Sequence, residues 1–217
     1  MKDRPDYKHR FTHFTDALIP IYNWLFSILA GRRHDEFRQH VIDLASLQGN
    51  ERVLDAGCGT GLRLMRIARL YPSCAVYGID ISPNMVASTQ EIAGKQGLAL
   101  EVQLGSIYCL PYASASFDVV ITNIMYHHLD MVEKQQAVLE IARVLKIGGR
   151  YISAEFGPRA RNALQRRLAK GEYTLYPTHL IEAGLEITLE KLMPFAWGKK
   201  LFYRVAVKEA ENNMRGC

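Results

Sequence analysis

Short apolar runs alternate with helix-length segments between residues 51 and 156, and this alternation constrains the fold more than any other feature of the sequence. The apolar runs have the composition of β-strands and lie at 52–56, 75–80, 98–105, 117–123 and 150–156. Several of them are almost free of polar residues, which is typical of parallel strands that helices cover on both faces. The sequence therefore predicts an α/β fold with a doubly wound parallel sheet.

The segments between these runs carry signals that begin and end helices. Ser82 followed by Pro83 predicts an N-cap and the first residue of a helix. Asp130, with Glu133 three residues later, predicts a capping box at the start of another helix. The glycines of "IGGR", at 147–150, are expected to end that helix before the fifth strand begins.

The sequence changes character after residue 157. Residues 158–173 are rich in basic side chains, and residues 177–184 predict a short helix. Two β-rich runs follow, at 185–195 and 200–208. Because the loop between them is short, the two runs are expected to pair as an antiparallel hairpin at the edge of the sheet.

The composition fits one folded domain. Apolar residues make up 48% of the 217 residues and charged residues 23%, so extensive disorder is not expected. The net charge of +5 is compatible with an anionic ligand, a nucleic acid or an acidic lipid surface, and decides among none of them. The four cysteines show no CxxC spacing, which favours a reduced, cytoplasmic protein without a metal site. The apolar segment 17–30 is shorter than the roughly 20 residues that span a bilayer, so no transmembrane segment is expected.

A glycine-rich turn, "DAGCGTG", follows the first predicted strand. Its glycines permit positive φ angles and let a ligand lie against the backbone, and the helix behind them offers free N–H groups. Dinucleotide sites favour G-x-G-x-x-G, whereas this turn is G-x-G-x-G with Leu62 next, a spacing that fits S-adenosylmethionine better. Asp80, at the end of the second strand, could accept hydrogen bonds from two ribose hydroxyls, which both ligands carry. Asp80 therefore indicates only a nucleoside.

Four blocks together resemble one family. In this order and spacing, "VLDAGCGTG", "GIDIS", "LPYASASFDVVITN" and "ARVLKIGGRYI" are similar to the class I S-adenosylmethionine-dependent methyltransferases, and most of all to the ubiquinone/menaquinone-biosynthesis type of small-molecule enzyme. The resemblance covers roughly residues 50–208. It implies a Rossmann-like sheet of seven strands with an antiparallel edge hairpin, a methyltransferase domain over 50–210, and an N-terminal helical cap over 1–49.

The resemblance also implies S-adenosylmethionine as the cofactor and no metal. Residues of the glycine turn match the family's contacts to the methionine part, Asp80 matches the ribose-binding acid, and Ser106 stands where the family often has an aspartate that bonds the adenine. Serine makes that contact more weakly. The implied cofactor-binding residues are Asp55, Gly57, Cys58, Gly59, Thr60, Gly61, Asp80, Ile81, Ser106, Ile107 and Asn123.

Three residues after the fourth strand are candidates for a catalytic role. His127 and His128 have side chains suited to act as general bases near an acceptor, and the alternative is that they only pack and hydrogen-bond locally. Tyr126 either forms a wall of the acceptor pocket or simply buries its ring. The neighbouring "NIMY" lacks both prolines of the Asn/Asp-Pro-Pro-Tyr motif of amino-methylating enzymes, which argues against an exocyclic amine as acceptor.

The predicted function is methyl transfer to a small molecule. Many aromatic residues near the N-terminus favour a hydrophobic or lipid-like acceptor, and contact with a membrane surface would explain them too. The arginines at 63, 66 and 69 are interpreted as a solvated helix face, so nucleic acid is not the expected partner. The alternatives are an RNA methyltransferase and a non-catalytic S-adenosylmethionine-binding protein. The acceptor, the atom that is methylated and the oligomeric state do not follow from the sequence.

Overall fold

The structure, a computed structural model, describes residues 35–126, 129–156, 177–195 and 200–210. In chain order the elements are α1 (35–45), β1 (Arg52–Ala56), α2 (Leu62–Leu70), β2 (Ala75–Asp80), α3 (Pro83–Lys95), β3 (Glu101–Leu104), β4 (Phe117–Asn123), α4 (Met131–Val144), β5 (Leu145–Phe156), α5 (177–182), β6 (Leu185–Pro194) and β7 (Lys200–Lys208). Strands and helices alternate from β1 to β3 and from β4 to β5, as the sequence predicts, whereas β4 follows β3 with only turns between them.

The seven strands form one sheet in the order β3-β2-β1-β4-β5-β7-β6. β1 to β5 are parallel to one another, and β7 runs antiparallel between β5 and β6. The predicted doubly wound sheet and edge hairpin are therefore confirmed. The strand order reverses between β1 and β4, and in sheets of this kind ligands bind at the carboxyl ends of the strands on either side of such a point.

Helices cover both faces of the sheet. On one face α4 and α5 pack against buried residues such as Leu54 and Val120. On the other face α1, α2 and α3 pack against Val53, Val119 and their neighbours. Successive residues of β1 and β4 are thus buried on opposite faces of the sheet. This explains why apolar and polar residues do not alternate along these two strands.

Two helix starts follow their sequence signals. The Ser82 hydroxyl accepts a hydrogen bond from the Met85 N–H at 3.4 Å, at the start of α3. At the start of α4, the Asp130 carboxylate accepts from the Glu133 N–H and the Glu133 carboxylate accepts from the Asp130 N–H, both at 2.9 Å. The predicted N-cap and capping box are confirmed.

Two strand boundaries differ from the prediction. β3 is restricted to Glu101–Leu104, and β5 begins at Leu145, so the glycines at 148 and 149 do not end α4. The helix ends at Val144 because Leu145 is already extended. The two glycines lie in an irregularity of the pairing with β4 between Phe117 and Val119. A side chain at Gly149 would come within 2.8 Å of the Lys146 carbonyl oxygen, so only glycine lets the chain pass there.

Residues 1–34 of the predicted N-terminal cap and the basic stretch 158–173 lie outside the described residues. The described end of the cap region, α1, places Phe37, Val41 and Ile42 in the core beside α2. Among the helices that the structure describes, none combines the length and apolarity needed to cross a bilayer.

Candidate cofactor-binding and active site

The glycine turn lies between β1 and α2, at the carboxyl edge of the sheet. The N–H groups of Gly57 and Cys58 donate to the carbonyl oxygen of Ile79 at 2.8 and 3.0 Å, which ties the turn to the end of β2. The Gly61 N–H donates to the Cys58 carbonyl at 3.1 Å. Gly61 also forms the N-cap of α2 and has no side chain to cap it. The turn is thus a rigid loop of backbone that leads into an uncapped helix N-terminus.

The three glycines of the turn have different surroundings, although all have positive φ angles of 79°, 54° and 67°. A Cβ atom at Gly61 would lie 2.2 Å from Cγ2 of Thr89, and one at Gly57 would lie 3.1 Å from Cγ of Met125. A Cβ atom at Gly59 would meet no atom within 4 Å. Packing therefore requires glycine at position 61 and makes a tight contact at Gly57, whereas Gly59 borders open space where a ligand could lie.

Asp80 connects the end of β2 to this turn. Its Oδ2 accepts a hydrogen bond from the Gly59 N–H at 2.8 Å, and its Oδ1 accepts from the Ser82 N–H at 2.9 Å. Burial raises the pKa of the Asp80 carboxyl, although both N–H donors act in the opposite direction. An ionised carboxylate has about four acceptor positions, so Asp80 keeps capacity for two hydroxyl donors beside Gly59.

A buried charge network lies beneath the turn. Asp55 of β1 is fully buried and forms an ion pair with Arg63 of α2, whose side chain is 6% exposed. The Asn123 amide is assigned the orientation that satisfies its neighbours, in which its oxygen accepts from Arg63 Nη1 at 2.7 Å and its nitrogen donates to the Ala154 carbonyl at 3.3 Å. Burial raises the pKa of Asp55, and the Arg63 guanidinium offsets part of this effect.

This network corrects the prediction for Arg63 and adds this residue to those that lie beneath the glycine turn. The sequence pattern predicts a solvated side chain for Arg63, because it shares a helix face with Arg66 and Arg69, and this prediction is wrong. Its guanidinium is buried because Asp55 lies at the end of a strand that is covered on both faces. The isolated acid in "VLDAG" is the signal that could have predicted a buried cation nearby.

The other predicted cofactor contacts lie around the same edge. Ile81 is half exposed just beyond Asp80, and Ser106 is half-buried in a turn closed by the Cys109 N–H, which donates to its carbonyl at 3.2 Å. The Ile107 side chain is buried in the core, so only its backbone could reach a ligand. Thr60 is a half-buried residue of the turn. The Cys58 sulfur lies over Gly78, 3.1 Å from where a Cβ would be, and burial raises its pKa, so the thiol serves packing rather than chemistry.

The catalytic candidates after β4 can be placed only in part. The ring of Tyr126 is buried, and its hydroxyl donates to the Lys134 carbonyl at 2.8 Å. This placement matches the alternative in which the tyrosine buries its ring. His127 and His128 lie outside the described residues, and their role as bases stays a prediction. No group of three or more His, Cys, Asp or Glu residues suited to a metal ion occurs in the part of the chain that the structure describes.

Comparison with known proteins identifies the family. Residues 53–149 match the model of a methyltransferase domain. The chain is 31% identical over 167 residues to the ubiquinone/menaquinone biosynthesis C-methyltransferase UbiE of Syntrophotalea carbinolica, a match that covers 76% of this chain and 67% of that protein. The chain belongs to the class I S-adenosylmethionine-dependent methyltransferases. It is an enzyme of this family, and S-adenosylmethionine is its cofactor.

One further relative carries a methyltransferase name, and one solved structure shares the fold. The demethylmenaquinone methyltransferase of Thermus thermophilus is 29% identical over 146 residues, which cover 67% of this chain and 66% of that protein. These matches span about two thirds of the length of the relatives. The crystal structure of the [4+2]-cyclase SpnF shares the fold, with a TM-score of 0.69 and 23% identity over 81% of each chain.

Because Gly59 of this methyltransferase borders open space, a substitution there is expected to change ligand affinity much more than stability. Gly59→Ala should leave the fold nearly intact and weaken binding of S-adenosylhomocysteine by at least about tenfold, because the methyl group enters the ligand space. An alanine with positive φ costs only about 1–2 kcal/mol of stability. Calorimetric titration measures the binding, and thermal melting measures the stability.

Gly97→Ala is the matched control for this prediction. Gly97 has a φ of 63°, and a Cβ there also meets no atom within 4 Å, but it lies in the loop after α3. The two variants should melt at similar temperatures, and only Gly59→Ala should lose affinity. Equal affinities in the two variants would show that no ligand lies over Gly59.

Proposed function

We propose that this enzyme methylates a small hydrophobic acceptor of the quinone type. The observation that carries the methyl-transfer part of the proposal is the open space over Gly59, bordered by the Asp80 carboxylate and the uncapped start of α2. One similar enzyme is named for ubiquinone/menaquinone biosynthesis and the other as a demethylmenaquinone methyltransferase, which makes a hydrophobic quinone precursor the first acceptor to test.

The residues of the turn fit the cofactor by their chemistry. The N–H groups at the start of α2 and the positive end of its dipole suit the carboxylate of the methionine part. The Asp80 carboxylate would accept from the ribose hydroxyls, and the exposed Ile81 offers an apolar surface to the adenine. Ser106 would make a weaker contact to the adenine than an aspartate.

Aromatic side chains at the same edge of the sheet support a hydrophobic acceptor. Phe156 ends β5, two residues after Ala154, which pairs with Asn123 of β4. The ring of Phe195 lies 6.3 Å from that of Phe156 and 5.3 Å from that of Phe37. All three rings pack with the core on the face of α1, α2 and α3, and we infer that Phe156 and Phe195, which are only partly buried, form part of the wall of the acceptor site.

When bound, S-adenosylmethionine supplies a methyl group that is already activated on a positive sulfur. The protein's own contribution is therefore to hold the acceptor in line and exclude water, which can account for about 7–11 kcal/mol of the barrier. Asn123, fixed by Arg63 and Ala154, is the described polar side chain at the end of β4 that would border the reacting groups. His127 and His128 remain the proposed bases if the acceptor must lose a proton.

The proposal is tested with methyl-labelled cofactor and three classes of acceptor: reduced naphthoquinones and benzoquinones, a pool of RNA, and small polar amines. We expect label in the organic extract of the quinone reactions together with release of S-adenosylhomocysteine, and no transfer by the Asp80→Asn variant. Label only in RNA or in the amines would contradict the acceptor class. Tight binding of S-adenosylhomocysteine without transfer to any of the three would favour a non-catalytic binding protein.

A further inference from the structure

Ile124, directly after β4, has an unusual backbone conformation. Its φ angle is +50°, in the left-handed region that β-branched residues avoid. Its N–H donates to the Ala154 carbonyl at 2.8 Å, so the residue still extends the pairing with β5 while the chain turns away. Its side chain packs against the core on the face of α1 and α2. The fold therefore holds this residue in a conformation that the isolated segment would not adopt.

Glu155 is the group that holds the next two residues. Its side chain comes from β5 and is 6% exposed. One carboxylate oxygen, Oε1, accepts from the Met125 N–H at 3.1 Å and from the Tyr126 N–H at 3.0 Å. Buried N–H groups without an acceptor are costly, so these two bonds give the loop a strong preference for the observed conformation.

The loop in turn contacts the cofactor turn. Met125 lies over Gly57, with its Cγ 3.1 Å from where a Cβ of that glycine would be. Asn123, immediately before the strained residue, accepts from Arg63 Nη1. The conformation of residues 124–126 therefore decides whether the Met125 side chain lies against Gly57 of the glycine turn.

We propose that Glu155 is a positioning residue, which holds residues 124–126 in a strained conformation and thereby keeps Met125 packed on the glycine turn of the cofactor site. If the carboxylate is removed, Ile124 can relax to a negative φ angle, and Met125 then moves away from Gly57. Glu155 itself touches neither cofactor nor acceptor in this account. The inference rests on the cofactor site proposed above and adds the contact that holds Met125 against the glycine turn.

The test measures the affinity of S-adenosylhomocysteine by calorimetry, so it requires no acceptor. Glu155→Leu removes both hydrogen bonds and is expected to weaken binding roughly tenfold, about the effect of one unsatisfied buried donor. Glu155→Gln retains an acceptor oxygen and should bind within about threefold of the wild type. A merely structural role would leave the affinity of folded Glu155→Leu unchanged.

A glycine at position 124 distinguishes relaxation of the strained backbone from a general loss of stability as the cause of weaker binding in Glu155→Leu. Glycine adopts positive φ without strain, so Ile124→Gly combined with Glu155→Leu should recover most of the lost affinity. The same substitution removes buried apolar contacts of Ile124, so the double variant should melt at a lower temperature than Glu155→Leu alone. Ala115→Gly is the matched control, because Ala115 has a φ of 53° at the opposite end of β4 and should restore no affinity.

Hydrogen exchange of the wild-type protein gives an independent result if Glu155→Leu does not fold. The amides of Met125 and Tyr126 should exchange at least about a hundredfold more slowly than in an unstructured peptide. Rapid exchange of both amides, or failure of Ile124→Gly to restore affinity, would overturn the role of Glu155. If the wild type itself does not bind S-adenosylhomocysteine, the cofactor site is wrong, which is a different outcome.

Discussion

Asp80→Asn is expected to lower the affinity for S-adenosylhomocysteine by about a hundredfold. Hydrogen bonds to a charged group contribute about 1.5–3 kcal/mol each, and the account assigns two ribose hydroxyls to this carboxylate. A loss of about 3 kcal/mol corresponds to roughly two factors of ten in the dissociation constant. Isothermal titration of wild type and variant measures the difference. The substitution also places an amide near the N–H groups of Gly59 and Ser82, so the melting temperature should be recorded with it.

Asp118→Asn is the control for this result. Asp118 lies on β4 near the opposite edge of the sheet, where it binds Lys146 at 2.7 Å and accepts from the Arg52 N–H at 2.9 Å. Its substitution should reduce stability without changing cofactor affinity. If both aspartate variants bind as well as the wild type, Asp80 does not contact the ribose.

The titration of Asp80 adds a dependence on pH. Burial raises its pKa above the ordinary aspartate value, and only the ionised carboxylate accepts from both hydroxyls. Wild-type affinity should therefore decrease as the pH is lowered into the range of this raised pKa. Asp80→Asn has no carboxylate and should show a nearly flat profile over the same range.

Arg63→Met is expected to cause the largest loss of stability. It leaves the fully buried Asp55 without its cation, and breaking a buried ion pair in this way costs about 3–5 kcal/mol. For a domain of this size the melting temperature should fall by roughly 10 °C. The loss should shrink as the pH is lowered, because a protonated Asp55 needs no cation. Thermal unfolding of the ligand-free protein at several pH values measures both effects.

Two further variants test whether the loss of stability in Arg63→Met comes from the unpaired charge of Asp55. In the Asp55→Asn/Arg63→Met variant neither charge is buried alone, so it should be more stable than Arg63→Met even though it carries one more substitution. Arg66→Met removes a partly exposed arginine of the same helix, which donates to Gln39 at 2.8 Å, and should cost less than about 1 kcal/mol. Similar melting temperatures for Arg63→Met and Arg66→Met would mean that Arg63 is not buried with Asp55.

The sequence predicts the fold well because its signals are local and agree with one another. Val119 and Val120 both read as strand, and both are fully buried, one on each face. The caps at Ser82 and Asp130 depend on residues within one helical turn. The predicted start of β5 is wrong because a pair of glycines can either end a helix or lie in an irregularity of a strand pairing. Which of the two occurs at Gly149 depends on its contacts with the Lys146 carbonyl and the neighbouring strand β4.

The candidate site is only partly accessible from the sequence. The motif identifies the glycine turn, but only the packing of Thr89 and Met125 distinguishes Gly57 and Gly61 from the open Gly59. Helix periodicity assigned Arg63 to solvent because it carries no information about the buried acid on the preceding strand. The contact of Glu155 with the loop after β4 joins residues that are distant in the chain, and no local pattern predicts it.

The binding of the cofactor along the carboxyl edge of β1 and β2 can be observed in a crystal structure of the enzyme with S-adenosylhomocysteine. We expect electron density for the ligand at this edge, with its backbone contact at Gly59 and both ribose oxygens within hydrogen-bonding distance of the Asp80 carboxylate. Ligand bound elsewhere, or a protein side chain occupying the space over Gly59 while the ligand is present at saturating concentration, would contradict this binding site.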